Sequence, residues 1–148
     1  MRLEYYIKPF FGDYQEFYSY PHGTINDDEI YARQLCGYFI KDGNQYKLIS
    51  NEMENGVETL ILEESGRNEP FPDEANYAGK GINIEFRQYS SFSNMPLIAT
   101  EQVNTHWDVI RYLLKDVVEV PGKGLMLTDS TELDEDRHVY VIYVTELK

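Results

Sequence analysis

Residues 31–63, YARQLCGYFIKDGNQYKLISNEMENGVETLILE, carry the pattern that decides the fold. The apolar stretch from Tyr31 to Ile40 runs into the turn signal Asp42-Gly43-Asn44, and Tyr46-Lys47-Leu48-Ile49 follows, so a hairpin is the economical explanation. Glu54-Asn55-Gly56 is a second turn signal, placed before Val57-Glu58-Thr59-Leu60-Ile61-Leu62. The segment therefore reads as a three-stranded antiparallel meander.

On its N-terminal side, Leu3, Tyr5 and Ile7 alternate with Glu4, Tyr6 and Lys8, the period of a half-buried strand. On its C-terminal side, residues 63–81 turn to Glu, Asn, Gly and Pro. Pro70 and Pro72 exclude a regular element there, and a long loop is expected. Ile82, Ile84 and Phe86 then alternate with Asn83, Glu85 and Arg87, which predicts a strand with one buried and one wet face. Further short strands are expected around Leu97 to Thr100 and at Leu125 to Leu127. Val139 to Val144 is apolar on both faces and should lie centrally in the sheet.

Trp107, Ile110, Leu114 and Val117 fall at helical spacing and predict an amphipathic helix over about 105–117. Asn104 or Thr105 would cap it, with Asp108 in the first turn. Asp27 to Gln34 is compatible with a second short helix. No internal repeat or linker shows in the sequence. The fold expectation is a single compact α+β domain over 1–148, a mainly antiparallel sheet of about six to eight strands with one packed amphipathic helix.

Charge narrows the function. The chain has 26 acidic against 13 basic residues, a formal net charge of −13. The excess is spread out, −9 over residues 1–74 and −4 over residues 75–148. Binding to nucleic acid or to an anionic membrane surface is disfavoured, because both are recognised through Lys and Arg; basic protein partners are favoured. Met1 to Tyr6 has no cationic segment followed by an apolar run, and no apolar stretch approaches the roughly 18 to 20 residues needed to span a bilayer. A single cysteine, Cys36, fits a reducing compartment. The expected location is the cytoplasm, with Cys36 a buried structural thiol in a strand-like stretch.

Catalytic signatures are missing from the sequence. Pro121-Gly122-Lys123-Gly124 and Ala78-Gly79-Lys80-Gly81 lack phosphate-loop spacing and lead into strands, so both read as turns. His22, His106 and His138 are too scattered for a sequence-local metal site, and His106 at a helix N-terminus should be neutral. Asp134-Glu135-Asp136 fails the calcium-loop pattern and reads, like Asp27-Asp28-Glu29 and Glu63-Glu64, as a solvated face. No cofactor, metal ligand or catalytic residue is nominated.

Eight aromatic residues fall within the first 20 positions, and from Gly12 to Tyr20 they follow neither strand nor helix period. Part of this set is expected at the surface, where tyrosine serves protein interfaces. The reading is a non-enzymatic acidic binding protein that engages a basic protein partner. In outline it looks like the small acidic immunity proteins of bacterial toxin systems, a likeness of composition, which implies an intracellular inhibitor or a nucleic-acid mimic. The expected partner-binding residues are Tyr14, Tyr18, Tyr20, Asp27, Asp28, Glu29, Asp134, Glu135 and Asp136. The alternative is a small enzyme or ligand-binding domain whose pocket assembles His22, His138 and carboxylates from distant parts of the chain. A constellation of perturbed groups in a concave pocket would favour that alternative; a flat acidic, tyrosine-bearing face would favour the binding protein.

Overall fold

The computed structural model describes residues 1–91 and 94–147. Two hairpin turns fix the meander. Asp42 and Gly43 have φ of 53° and 78°, and Asn55 and Gly56 have 54° and 75°, so both connections turn through the left-handed region that the twist of a two-residue hairpin requires. They join β3 (Tyr38–Lys41), β4 (Asn44–Glu54) and β5 (Val57–Arg67). The meander starts later than its apolar pattern does, because Asp27–Gln34 forms a helix, α1. Cys36 lies in the connection between α1 and β3. It is buried, its thiol contacts the Ala32 carbonyl at 3.5 Å, and burial pushes its pKa up.

The chain opens with β1 (Arg2–Ile7) and β2 (Gln15–Tyr20). After β5 come β6 (Ile82–Gln88), β7 (Leu97–Val103), α2 (His106–Leu113), β8 (Val117–Val120), β9 (Gly124–Asp134) and β10 (Val139–Glu146). Among the described residues, ten strands form one sheet in the order β2-β1-β5-β4-β3-β9-β10-β6-β7, with β8 paired to β9. The fold is α+β, but the sheet is mixed rather than mainly antiparallel and exceeds six to eight strands: β1 with β5, β6 with β10 and β3 with β9 run parallel. Hydrophobic period gives a strand's faces but not the direction of its neighbour, so the parallel pairings were not visible in it.

The topology repeats. Each half runs strand, strand, helix and three strands. In each, the first strand is antiparallel to the second and parallel to the fifth, while the last three form a meander. The registers agree as well. Leu3 faces Glu58 and Tyr5 faces Leu60 in the first half; Ile84 faces Tyr140 and Phe86 faces Ile142 in the second. Leu48 N–H donates to the Gly37 carbonyl at 2.9 Å, and Thr128 N–H donates to Asp116 at 2.9 Å. The repeat shows in no run of matching residues; the side chains of the first strands correspond in kind, Leu3 with Ile84 and Tyr5 with Phe86, while Glu58 stands where the second half has Tyr140.

Two sequence expectations change here. The helix is shorter than expected: it ends at Leu113, and Val117 belongs to β8, opposite Leu127. Its buried positions are therefore Val109 and Leu113, while Trp107 and Leu114 stand exposed. Thr105 is the N-cap, in a capping box with Asp108. The second correction concerns β6, whose expected wet face is buried. Glu85 and Arg87 are both 0% exposed, because the loop after β5 folds over that side of the sheet. The central position of β10, between β9 and β6, and the burial of Val139–Val144 agree with its apolar run.

Candidate functional site

Three features compete for the role of functional site, and each begins with how the sequence folds locally. The first is the exposed β1–β2 hairpin. β2 is an edge strand, paired with β1 alone. The connection between the two carries Phe10 and Phe11, 91% and 84% exposed, whose rings meet edge-on at 4.7 Å. Phe10 borders a groove of about 540 Å³ with Ile7, Lys8, Glu63 and Glu64. Pairing of β1 with β5 stops at Ile7 and Leu62, so β5 continues from Glu63 bonded to β4 alone, with both glutamates in solvent. Tyr14 and Tyr18 lie on the same edge, roughly half exposed, with Lys41 Nζ 4.1 Å above the Tyr18 ring.

The second is a polar cavity of about 290 Å³ where α1 meets the C-terminal end of β9. Buried Arg33 is its hub. The guanidinium donates to Glu29 at 3.0 Å, to Glu135 at 3.1 Å and to the hydroxyls of Tyr5 and Tyr20 at 3.3 Å. Tyr20 in turn donates to Glu135. Burial, the larger cause, and the Glu135 charge keep the Tyr20 phenol protonated against the pull of Arg33. Burial likewise pushes Tyr5 up to about 12. His106 lines the cavity with its Nε2 3.9 Å from Glu29, and burial lowers its pKa, so the neutral form is favoured. His138 also lines it, whereas His22 lies exposed in a separate turn.

The third is the buried network beneath residues 68–81. Glu85 accepts from Arg137 at 2.9 and 3.1 Å, from Arg87 at 2.9 Å and from the Tyr77 hydroxyl at 2.8 Å. Burial pushes the Glu85 carboxyl up, but the two guanidinium groups outweigh it and hold the pKa below the usual range. Arg87 reaches Asp73 at 2.8 Å and Arg137 reaches the Ala75 carbonyl at 3.0 Å, which fastens the loop to the sheet.

The expected partner-binding residues divide among these features. Tyr14 and Tyr18 stay on the hairpin edge. Tyr20, Glu29 and Glu135 come together around Arg33, although more than a hundred residues separate the first from the last. Asp27 meets the N-terminal ammonium at 3.1 Å, and Asp28 accepts from the Glu29 N–H at 3.0 Å. The run at 134–136 is not uniformly a solvated face, for Asp136 is exposed but Asp134 is not. Asp134 is 1% exposed and bonded to Arg137, while Asp136 accepts from the N–H groups of Asp42 and Gly43, both at 2.8 Å. β9 runs between β3 and β10, so its end is enclosed by the neighbouring turns.

Sequence reasoning missed Arg33, Glu85, Arg87, Glu132 and Arg137. A charged residue at every second position beside a central apolar strand was the available signal. Among the described residues, no group of three or more His, Cys, Asp and Glu side chains is placed to hold a metal ion, and no helix is long and apolar enough to cross a membrane. No protein-family model matches the chain, and searches of curated proteins and of solved structures find no match.

Proposed function

We propose that the protein is a non-enzymatic acidic binding protein that engages a basic protein partner through the β1–β2 hairpin and the adjoining open edge of β5. One observation carries this reading: Phe10 and Phe11 project almost fully into solvent beside Glu63 and Glu64. Two adjacent phenylalanines exposed in this way serve as anchors for a partner's pockets, since buried aromatic side chains dominate interface energies. The carboxylates around them, with Asp13 and Glu16 on the same hairpin, supply steering toward a cationic surface. The Arg33 cavity offers perturbed groups in a concave setting, the feature that favours a small-molecule pocket. Its polar groups are bonded to one another, however, as in a structural network. Inhibition of a cationic enzyme, in the manner of an immunity protein, is the role that fits such a surface.

The test compares wild type with F10S/F11S in affinity capture at low salt, with mass spectrometry and a high-salt wash. The reading requires a basic protein held stoichiometrically by wild type, released by salt and absent from the variant. Equal capture by both proteins contradicts it.

A further inference from the structure

On the face of the sheet away from the helices, a cleft of about 570 Å³ opens beside β9 and the 68–81 loop. Tyr38 and Phe71 give it aromatic walls, with the Arg87 guanidinium 4.9 Å over the Phe71 ring, and Glu69, Glu74 and Asp129 outnumber Arg67 along its lining. Glu132 of β9 forms part of the lining while remaining 4% exposed.

Glu132 differs from the two buried carboxylates held by guanidinium groups, Glu85 and Asp134, and like Glu58 it has only a neutral donor among the described residues. Glu85 is held by two guanidinium groups, Asp134 by Arg137, and Glu58 by the Gln34 amide at 3.0 Å. The Glu132 carboxyl receives the Tyr143 hydroxyl at 3.2 Å and no guanidinium or ammonium group. The two arginines nearby are bonded to other carboxylates, Arg137 to Glu85, Asp134 and Glu74, and Arg87 to Glu85 and Asp73, with the Arg87 Nη2 buried and left without a partner. A buried carboxylate lacking a cation is costly, so the group holds its proton instead. Burial and then the Asp134 charge push its pKa up to about 8, with Tyr143 and Arg137 opposing and Glu74 adding to the rise. Tyr38 on β3 pairs in register with Glu132, which places an aromatic ring beside the carboxyl on the same face of the sheet.

We propose that this cleft binds a guanidinium or alkylammonium group, stacked on Tyr38, with Glu132 as its buried counter-ion. The volume lies within the range of small-molecule sites, and a cation over an aromatic face next to a carboxylate is stabilised by both. The protonated Glu132 carboxyl loses its proton to solvent as the cation enters, leaving a carboxylate–cation pair. Binding therefore strengthens as pH rises toward 8 and levels off above it.

The same chemistry is presented by a free small amine and by an arginine side chain of a protein. Two probes separate these sources: agmatine, and an acetylated, amidated Gly-Arg-Gly peptide. Each is titrated calorimetrically into the full chain at pH 8.5 and 6.5, in buffers of different ionisation heat. Saturable binding is expected at pH 8.5 with little proton release, and at pH 6.5 with affinity roughly tenfold or more lower and about one proton released per cation bound. Glu132→Gln keeps a neutral side chain beside Tyr143 and is expected to retain the wild-type circular dichroism while losing at least about tenfold in affinity. Tighter agmatine binding assigns the site to a free amine, tighter peptide binding to a protein side chain, and either supports the proposal. No saturable binding of either probe at about 10 mM, or equal binding by Glu132→Gln, overturns it. The F10S/F11S variant leaves this cleft intact, so the hairpin and cleft readings fail independently.

Discussion

Tyr89 does for the second half of the chain what Lys8 does for the first. Each donates its backbone N–H to the strand running parallel to its own, Lys8 to Leu62 at 2.7 Å and Tyr89 to Val144 at 2.8 Å. Beyond these bonds the halves part company. After Lys8 the chain turns outward to Phe10 and Phe11, whereas in the second half Met95 is held against β6, its carbonyl accepting from Arg87 at 2.9 Å, and Asp73 accepts the Leu97 N–H at 3.0 Å. Two similar frames thus carry different loops, and the loops hold the features available for recognition.

The network at Glu85 is expected to dominate the stability of the second half. Glu85→Gln leaves Arg87 and Arg137 buried without their shared carboxylate, at a cost of about 3–5 kcal/mol. Urea unfolding should show a lower midpoint with an unchanged slope. Because Glu85 is depressed in the fold, its contribution is complete above the unfolded carboxylate range and is lost as pH falls through its folded value. A thermal midpoint that stays flat from pH 6 to pH 3 contradicts this.

Glu132 acts with the opposite sign. Its folded pKa of about 8 lies above the ordinary carboxyl value, so its contribution is complete below about pH 4.5 and is lost as pH rises through 8, at about 1.4 kcal/mol per unit. Glu132→Gln should therefore be more stable than wild type at pH 8 and close to it at pH 5. Melting curves at the two pH values check the crossover; a variant less stable than wild type at pH 8 defeats it.

Thr105 accepts the Asp108 N–H at 3.3 Å, and Asp108 reaches back to the Thr105 N–H at 3.3 Å. Thr105→Ala should cost about 1 kcal/mol, measured by urea unfolding.

How far these features were legible in the sequence depended on range. The turns at Asp42-Gly43 and Asn55-Gly56 are local, and the sequence states them; it narrows the helix cap to Asn104 or Thr105, of which the structure uses Thr105. Period two on β6 correctly separated Ile84 and Phe86 from Glu85 and Arg87, but it does not say what covers the second face. The cover is the 68–81 loop together with Arg137, 52 residues beyond Glu85. The same distance effect hid the burial of Asp134 and the bonds of Asp136 to the Asp42–Gly43 turn. Val117 misled because it continues the helical spacing of Trp107 and Leu114 while its backbone is already paired with β9. Of the three tyrosines expected at the surface, Tyr14 and Tyr18 are exposed but Tyr20 is buried against Arg33, a contact that no local pattern announces. Phe10 and Phe11 were visible only as members of an aromatic cluster.

Two acidic clusters should now respond differently to charge reversal. D134K/E135K/D136K removes partners of Arg137, Arg33 and the Asp42–Gly43 turn and is expected to unfold the chain, as circular dichroism would show. E63K/E64K changes only exposed positions, so the fold should persist while association with a basic partner slows several-fold and loses part of its salt dependence.

The most direct measurement is the kinetics of F10S/F11S against wild type on the captured basic partner, by surface plasmon resonance at two salt concentrations. Loss of two anchors should raise the dissociation rate by roughly a hundredfold while leaving the salt-dependent association rate nearly unchanged. Dissociation rates that agree within a factor of two would contradict the assignment of the β1–β2 hairpin as the binding surface.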